Sequence, residues 1–416
     1  MTEDMPSRKI IRGVITMKKL MILLLVLLLS GCSNSWERIF VDLSSTPKTY
    51  GVWLSYVDYG DMLKGKSESE FQQNVQTMMA NLESLGMNRI YTHVSMFTDS
   101  LYESEYYPMS RYVSGKIGKT VDYDPLEIII SEASLRQIQV EAWINPLRSF
   151  TKSEMEQVSN KFPVRQWYDD NELRKQNLMF VDNRYYLNPG SQDVRDLVNN
   201  YVKELCTKYS LAGVHIDDYF YPAGMKDAFD ESTYVVYAQE YPEISVADYR
   251  REMTNQLVSS MYQTIKGVNH SMVFSISPSA NIDTNYNSYY ADVLKWTQEN
   301  GYCDVMIPQV YFGFENGAMP FKEVVDQWEE LVGNKVRLVY GLAAYKVGEE
   351  DTYAKGGKYE WQENVDILSR QIEYVQDKEH FGGIALYRYY SMFYPKTEVK
   401  QQMKIELSKV KEVLGE

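Results

Sequence analysis

The stretch GVHIDDYFYP, residues 213–222, is a short apolar run that ends in two adjacent carboxylates and continues into an aromatic segment. A run of this kind is typical of a buried parallel strand. The adjacent carboxylates of Asp217 and Asp218 repel each other, so one of them tends to keep its proton at neutral pH, as a general acid must. Because Asp is also common in turns, the pair alone indicates a turn as readily as a catalytic site. The remaining strands of the chain decide between these interpretations.

Short apolar runs recur along the whole chain from Thr49 onward. The candidate strands are Tyr50–Tyr56, Arg89–Val94, Val140–Ile144, Gly213–Ile216, Val273–Ser277, Asp304–Val310, Arg337–Tyr340 and Gly383–Tyr387. Segments with helical periodicity follow them: Glu70–Leu85, Pro125–Gln137, a segment that begins at Ser191, Val246–Lys266, Ser288–Asn300, Phe321–Val332, Gln362–Asp377 and Thr397–Leu414. Eight such units predict an α/β fold, a single (β/α)8 TIM barrel over residues 48–416. An open doubly wound sheet is the alternative, but no glycine-rich phosphate loop follows any strand.

Two connections of the predicted barrel are much longer than the others. They run from Asn145 to about Gly190, after strand three, and from Tyr219 to about Ser245, after strand four. Both follow strands, so both lie on the catalytic face of a barrel. Long loops in compact domains are usually functional, and these two carry many aromatic residues that could form the walls of a cleft.

Polar and aromatic residues lie at the carboxyl ends of the predicted strands and converge on one mouth. The candidate catalytic residues are Asp217 and Asp218. The candidate binding residues are Trp53, Asp58, His93, Asn145, Arg148, His215, Tyr219, Tyr221, Gln309, Tyr311 and Tyr387. Because side chains alternate along a strand, His215 and Asp217 share a direction, and Asp218 points elsewhere unless the backbone turns there.

A metal site is the other chemistry that these residues suggest. His93, His215 and Asp217 could ligate a metal ion, since the side chains of a His-x-Asp sequence share a face. However, the chain has only 4 histidines and no His-x-His pair, so we predict neither a metal nor another cofactor.

The N-terminal 31 residues resemble a signal peptide rather than part of the fold. A basic segment begins at Met17, the better candidate start, and Leu20–Leu29 is an apolar run much shorter than the roughly 20 residues of a transmembrane helix. The sequence Leu-Ser-Gly-Cys that ends at Cys32 resembles the bacterial lipobox, in which the cysteine is lipidated. We therefore expect residues 32–47 to be a lipidated tether. The protein would then be anchored to the outer face of a membrane of the bacterial cell envelope, inner or outer.

The amino-acid composition indicates which classes of molecule the protein can bind. The net charge of −14 argues against nucleic acid and makes a strongly anionic substrate less expected, although a local basic pocket could override this average. The chain contains 35 Tyr, 7 Trp and 14 Phe residues. Amphipathic rings suit carbohydrate binding, but many of them simply fill a core.

Four segments of the sequence resemble the glycosyl-hydrolase-like family 10 barrels: residues 51–54 (GVWL), 142–146 (AWINP), 187–190 (LNPG) and 213–222. The resemblance extends over roughly residues 48–395. It implies a glycoside hydrolase that acts on peptidoglycan and, for some members, on glycan strands already stripped of their stem peptides. Asn145, His215, Asp217, Asp218, Tyr219 and Pro222 lie inside the matched motifs. Many members continue into an additional C-terminal β-domain, which we do not expect here because the chain stops after its eighth predicted helix.

The adjacency of the two carboxylates favours one mechanism. Most glycosidases place two carboxylates on opposite sides of the glycosidic bond, about 5–5.5 Å or 6.5–9.5 Å apart, whereas substrate-assisted enzymes use the sugar's own 2-acetamido oxygen as nucleophile. The pair resembles the adjacent acidic pair of hydrolases that remove N-acetylglucosamine. By that analogy Asp217 polarises the acetamide and Asp218 is the general acid, an order that could be reversed. Tyr311 or Tyr387 would donate to the developing oxazoline, and Asn145 would hold a sugar hydroxyl.

Two alternatives remain open at this point. In a conventional retaining or inverting glycosidase acting on another polysaccharide, Asp217 or Asp218 would work with a distant carboxylate such as Glu315 or Asp58. In a non-enzyme, the chain would be a lipid-anchored barrel that binds glycan without cleaving it.

Overall fold

Short runs of β-branched and aromatic residues form a closed barrel in the computed structural model of the chain, which describes residues 47–415. Within these residues the barrel strands are β1 (Thr49–Leu54), β2 (Arg89–Ser95), β3 (Gln139–Ile144), β4 (Gly213–Ile216), β5 (Val273–Ile276), β6 (Val305–Met306), β7 (Arg337–Leu342) and β8 (Phe381–Leu386). Neighbouring strands are parallel throughout, and β1 closes the barrel by pairing with β8. The predicted (β/α)8 barrel is confirmed. The predicted signal peptide, Cys32 and the tether up to residue 46 lie outside the described residues.

Alternating side chains along the strands form two separate apolar clusters. Val52 and Leu54 of β1 belong to the large cluster that includes the apolar faces of the surrounding helices. Trp53, between them, belongs to a smaller cluster inside the barrel. The other buried members of this inner cluster are Tyr91, Trp143, Val305, Ile307, Val339 and Ala385. Gly51 is part of this arrangement, because a Cβ atom there would lie 2.6 Å from the Tyr91 ring.

Helices of varied length surround and connect the strands. In the described residues the α-helices are Tyr59–Met62, Glu68–Ser84, Arg111–Ser114, Pro125–Ser134, Lys152–Met155, Pro163–Asp169, Asn171–Asn177, Gln192–Lys208, Glu231–Glu240, Val246–Val268, Ile282–Asn287, Val293–Gln298, Phe321–Leu331, Glu360–Glu363, Ile367–Gln376, Tyr389–Phe393 and Lys400–Leu414. The helix Glu68–Ser84 begins at a capping box formed by Ser67 and Glu70. No helix within residues 47–415 combines the length and apolarity needed to cross a membrane.

Some predicted elements differ from the structure, among them one helix and one strand. The predicted helix Ser288–Asn300 is shorter in the structure, where it begins at Val293 and ends at Gln298, because the chain turns at Tyr290, whose φ is 52°. Strand β6 is shorter than the predicted Asp304–Val310 and ends at Met306. Pro308, which has no N–H to donate, interrupts the ladder, and only isolated bridges at Gln309 continue it toward the neighbouring strands.

Each of the two long connections carries structure of its own. The connection after β3 contains an antiparallel three-stranded sheet, called here the insertion sheet, made of Arg148–Thr151, Arg184–Leu187 and Leu178–Val181 in that spatial order. The connection after β4 contains a 3-10 turn at Asp227–Asp230 and the helix Glu231–Glu240. Both connections leave the barrel at the carboxyl ends of strands, where the candidate residues lie.

Candidate active site

The two adjacent carboxylates lie directly after β4, at the carboxyl end of the barrel. Asp217 is 4% exposed, and both of its carboxyl oxygens accept hydrogen bonds. The indole N–H of Trp143, at the end of β3, lies 3.1 Å from Oδ2, and the backbone N–H of Tyr219 lies 3.1 Å from Oδ1. The carboxyl group of Asp217 is therefore held in one orientation by two donors.

Asp218 occupies a more open position than Asp217. The chain bends at this residue, and Asp218 is only partly buried. Its carboxylate is hydrogen-bonded by the side-chain amide of Gln309, from the segment that follows β6. The amide nitrogen of Gln309 is itself held 3.0 Å from the carbonyl oxygen of Ser277. The bend thus places both carboxylates in the same mouth, although they are neighbours in sequence.

The environment of the pair favours retention of a proton. Burial raises the pKa of Asp217 well above its usual value, and the negative charge of Asp218 raises it further. Burial also raises the pKa of Asp218, while its hydrogen bond with Gln309 opposes this shift. The positive charge of Arg148 lowers the pKa of both carboxyls. Such closely spaced carboxyls titrate as one unit, and the pair can hold a single proton near neutral pH.

Tyrosine rings line the mouth beside the pair. The ring centroids of Tyr311 and Tyr387 are 5.8 Å apart, and Tyr345 lies edge-on to both. Burial raises the pKa of the Tyr311 hydroxyl, and the charges of Asp217 and Asp218 raise it further, so this hydroxyl remains a donor. Tyr345 and Tyr387 also line a cleft of about 530 Å³ that continues toward Tyr390 and Tyr394.

A buried hydrogen-bonded chain of side chains runs through the barrel beneath the pair. The indole N–H of Trp53 donates to Nε2 of His215 at 3.0 Å, so the proton of the neutral imidazole lies on Nδ1. Nδ1 then donates to Ser275 at 2.7 Å, Ser275 donates to Glu141, and Arg89 pairs with Glu141. Burial lowers the pKa of His215 to about 3, which keeps the ring neutral.

His93 and Asn145 lie next to this chain, at the base of the mouth. The His93 ring stacks on Trp143 with a centroid distance of 3.6 Å and an interplanar angle of 11°. Burial lowers the pKa of His93 well below its usual value. The Asn145 amide donates to the carbonyl oxygen of Met96 at 3.4 Å. Within residues 47–415, no group of three or more His, Cys, Asp or Glu side chains could hold a metal ion.

Basic and aromatic residues form the opposite side of the mouth. The Arg148 guanidinium lies 4.4 Å from the Tyr219 ring centroid and 4.8 Å from that of Phe97. The Arg184 guanidinium lies 4.4 Å from the same Phe97 ring. Arg148 and Arg184 come from paired strands of the insertion sheet, which explains how they reach one aromatic residue.

The structure corrects the expected positions of four candidate binding residues. Trp53 and His215 are buried in the barrel, where they bond to each other and support the mouth from below. Tyr221 is 1% exposed, and its hydroxyl donates to Asp230 at 3.0 Å. Asp58 accepts from the backbone N–H of Ser55 at 2.9 Å and pairs with Arg388. These side chains are already engaged by neighbours, whereas the remaining candidates line the mouth or its base.

A match to a known family covers most of this barrel. The model of the family described as "Glycosyl hydrolase-like 10" matches residues 48–356. The chain belongs to the glycosyl hydrolase-like 10 family. The match includes β1 to β7 and every candidate catalytic or binding residue except Tyr387.

Two relatives of this chain are named as glycosyl hydrolases. The chain is 30% identical over 387 residues to glycosyl hydrolase YngK of Bacillus subtilis, covering 88% of this chain and 74% of that protein. It is 28% identical over 381 residues to glycosyl hydrolase DigH of Escherichia coli K12, covering 84% of each chain. Family and relatives together identify the chain as a glycoside hydrolase.

Solved structures agree on the fold. The glycoside hydrolase domain of PgaB (BpsB) from Bordetella bronchiseptica superposes with a TM-score of 0.55 at 13% identity, covering 86% of this chain and 99% of that one. The catalytic domain of β-amylase from Paenibacillus polymyxa gives a TM-score of 0.53 at 10% identity, covering 87% and 98%. At these identities the similarity shows the barrel alone.

Trp143, Phe97 and Arg184 lie at the mouth but were not among the sequence candidates. Trp143 lies two residues before Asn145, so the alternation of side chains along strand three directs both to the same face, and this signal could have identified Trp143. Phe97 and Arg184 carry no comparable signal, because one lies in the loop after β2 and the other in the insertion sheet.

Proposed function

We propose that this glycoside hydrolase cleaves an N-acetylated cell-wall glycan, namely peptidoglycan strands that lack stem peptides, by substrate-assisted catalysis. The observation that carries the proposal is the adjacent Asp217–Asp218 pair at the barrel mouth, with Asp217 buried and fixed by Trp143. Neighbouring residues on one strand end are poorly placed to flank a glycosidic bond from opposite sides. A sugar that supplies its own nucleophile removes that requirement.

The surroundings of the two carboxylates support separate roles. Asp217 is held by Trp143 and Tyr219, as expected of a group that must orient and polarise the acetamido N–H. Asp218 is the more exposed of the two, as expected of an acid that must reach the leaving oxygen. Burial raises the pKa of both carboxyls and the pair shares one proton, so access to the leaving oxygen decides which of them donates it.

The proposed reaction needs no further carboxylate. The acetamido oxygen attacks the anomeric carbon and forms an oxazoline, while Asp218 protonates the departing glycosidic oxygen. Asp217 accepts a hydrogen bond from the acetamido N–H, whose proton stays on the nitrogen, and so stabilises the positive charge of the oxazolinium ring. A water molecule, deprotonated by Asp218, then opens the oxazoline, and the hydroxyl of Tyr311 or Tyr387 is available as a donor to the sugar.

The conventional two-carboxylate alternative has weaker support. Asp58 pairs with Arg388 and accepts from Ser55, so it is not free to act as a nucleophile. Glu315 has an exposed side chain on the loop after β6, and its backbone N–H donates to Glu360. A glycosyl-enzyme trapped on either residue with a fluorinated inactivator would favour this alternative.

We also propose that Cys32 is lipidated and anchors the barrel in the cell envelope, where peptidoglycan is the N-acetylated polymer at hand. The lipobox-like sequence supports this anchor, and the family resemblance supports peptide-free strands as the substrate. Metabolic labelling with a palmitate analogue, compared between the wild type and Cys32→Ala, tests the anchor. Equal labelling of both proteins would contradict it.

Digestion of intact and amidase-treated peptidoglycan tests the proposed function. We expect new reducing ends and defined product masses from the amidase-treated material, and little product from the intact polymer. Asp217→Asn and Asp218→Asn should each lose cleavage, while Asp196→Asn, on the outer helix Gln192–Lys208, should retain it. Tight glycan binding without any product would identify a binding protein instead and would contradict the proposal.

Substrates with activated leaving groups separate the two roles. An aryl N-acetylglucosaminide with a nitrophenyl leaving group needs little help from a general acid. Asp218→Asn should therefore retain far more of its activity on the aryl glycoside than on the glycan, whereas Asp217→Asn should lose both. The opposite result would reverse the assignment.

A further inference from the structure

Two arginine side chains share one aromatic residue in the wall of the mouth. The guanidinium groups of Arg148 and Arg184 lie 4.8 Å and 4.4 Å from the centroid of the Phe97 ring. Within residues 47–415 neither of them forms a salt bridge with a carboxylate. By contrast, Arg111, which also lies near Phe97, pairs with Glu154. Arg148 and Arg184 therefore form a positively charged spot in which neither guanidinium is paired with a carboxylate by a salt bridge within residues 47–415.

This arrangement is costly for the folded protein. Burial lowers the pKa of Arg184, and the charge of Arg148 lowers it further. Arg148 has a buried Nε atom that contacts no acceptor, and its guanidinium lies between the rings of Phe97 and Tyr219. Arg184 reaches one acceptor, the carbonyl oxygen of Ser149. Two like charges kept together in a protein with a net charge of −14 indicate a site for an anion.

The charged spot adjoins the catalytic pair. Tyr219, whose ring covers the Arg148 guanidinium, donates its backbone N–H to Asp217. The charge of Arg148 also acts on both Asp217 and Asp218. An anion bound by the arginines would consequently belong to the same sugar as the cleaved bond or to its neighbour in the chain. The planar fork of a guanidinium suits a carboxylate in particular.

We infer that Arg148 and Arg184 form a subsite for a carboxylate carried by the glycan, and that this carboxylate is the free lactyl group of an N-acetylmuramic acid residue. The inference rests on the proposed function. In peptide-bearing strands the lactyl carboxyl is bound as an amide and has no charge. Removal of the stem peptide restores the carboxylate, so the two arginines give a physical reason for a preference for peptide-free strands.

The test compares two forms of one substrate. Amidase-treated glycan is used as it is, or after its lactyl carboxyls have been converted to methylamides, which remove the charge and add little bulk. The kcat/KM of the wild type should be at least about tenfold higher for the carboxylate form than for the methylamide form, a factor that corresponds to about 1.4 kcal/mol. Arg148→Gln and Arg184→Gln should each reduce this ratio toward one. Arg136→Gln, in a surface pairing with Glu83 and Glu132, is the matched control and should leave the ratio unchanged.

Further measurements distinguish a failure of the proposed subsite from misfolding of a variant and from a failure of the proposed function. Arg184→Lys preserves the charge and should retain part of the preference, and thermal unfolding identifies any variant that does not fold. If the protein cleaves neither glycan form, the proposed function fails, and calorimetric binding of the two forms still tests the subsite. Equal affinity or equal kcat/KM for both forms would overturn it.

One further substrate identifies the source of the carboxylate. An oligosaccharide of alternating N-acetylglucosamine and glucuronic acid carries its carboxylate on the sugar ring instead of on a lactyl group. We expect it to bind more weakly than the peptide-free glycan. Tighter binding of this oligosaccharide, lost in Arg148→Gln, would assign the subsite to a uronate and refute the lactyl assignment.

Discussion

Replacement of Trp143 by phenylalanine probes the fixed orientation of Asp217. The substitution removes the indole N–H that lies 3.1 Å from Asp217 Oδ2, and it retains an aromatic ring to stack on His93. Trp143 is 5% exposed and Asp217 is 4% exposed, so solvent does not readily replace the lost donor. The change therefore isolates one hydrogen bond to a buried carboxylate.

The size of the effect follows from that single bond. A hydrogen bond to a charged group contributes roughly 1.5–3 kcal/mol. The bond lowers the pKa of Asp217, so its loss raises that pKa and reduces the ionised fraction at a given pH. We expect the acidic limb of the kcat/KM profile to move upward by roughly one to two pH units, at about 1.36 kcal/mol per unit. On that limb, kcat/KM should fall roughly 10- to 150-fold.

The assay is a pH profile of kcat/KM on peptide-free glycan, together with thermal unfolding. Trp296→Phe is a matched control, since the buried Trp296 indole donates its hydrogen bond to Asn255, at 2.7 Å, rather than to a carboxylate of the pair. The control should lose stability without any shift of the profile. If Trp143→Phe keeps its acidic limb in place and its kcat/KM within about threefold of the wild type, the assigned role of this hydrogen bond is wrong.

Three further predictions concern the interior, the pair and metals. Ser275→Ala leaves the Nδ1–H of His215 and an oxygen of Glu141 without their hydrogen-bond partner. The free energy of unfolding, measured with urea, should therefore fall by roughly 1–3 kcal/mol. An unchanged urea midpoint would contradict the buried hydrogen-bonded chain. The folded protein binds protons on Asp217 and Asp218 more tightly than the unfolded chain, so its stability should decline as pH rises through their raised pKa values. The double Asn variant should not show this decline. Its stability relative to the wild type should therefore increase as pH rises above the ordinary Asp pKa of 3.8, by about 1.4 kcal/mol per unit of raised pKa, and a constant difference would refute the raised values. Extended dialysis against a chelator should leave kcat/KM within about twofold; a loss restored by a divalent metal would contradict the metal-free mechanism.

The barrel was predictable because its signals are local. Each strand is a short apolar run, and the alternation along residues 213–216 correctly placed His215 and Asp217 on the inner side of β4. The helix Val246–Val268 was predicted almost to the residue, because its apolar face repeats with helical spacing over many turns. Where a turn interrupts the chain, as at Tyr290, the predicted helix was too long.

The details of the site depended on long-range contacts that no local pattern encodes. Tyr221 follows the pair closely in sequence, yet it is buried because Asp230 and Arg250 form an ion pair at its hydroxyl. Arg148 and Arg184 are far apart in sequence and meet only through antiparallel pairing in the insertion sheet. The net charge of −14 made an anionic ligand less expected, because a charge averaged over the whole chain does not reveal that Arg148 and Arg184 lie at the same aromatic ring.

The insertion sheet also has a consequence for how such an enzyme can change. Within residues 47–415 its three strands pair only with one another, and none of them shares a backbone hydrogen bond ladder with the barrel strands. Mutations in the sheet therefore alter the lining of the mouth without disturbing the register that positions the carboxylates. Selection can act on substrate choice and on bond cleavage through separate parts of the chain. Exchange of residues 148–187 between family members is accordingly a practical route to barrels with the same chemistry and a different preferred polymer.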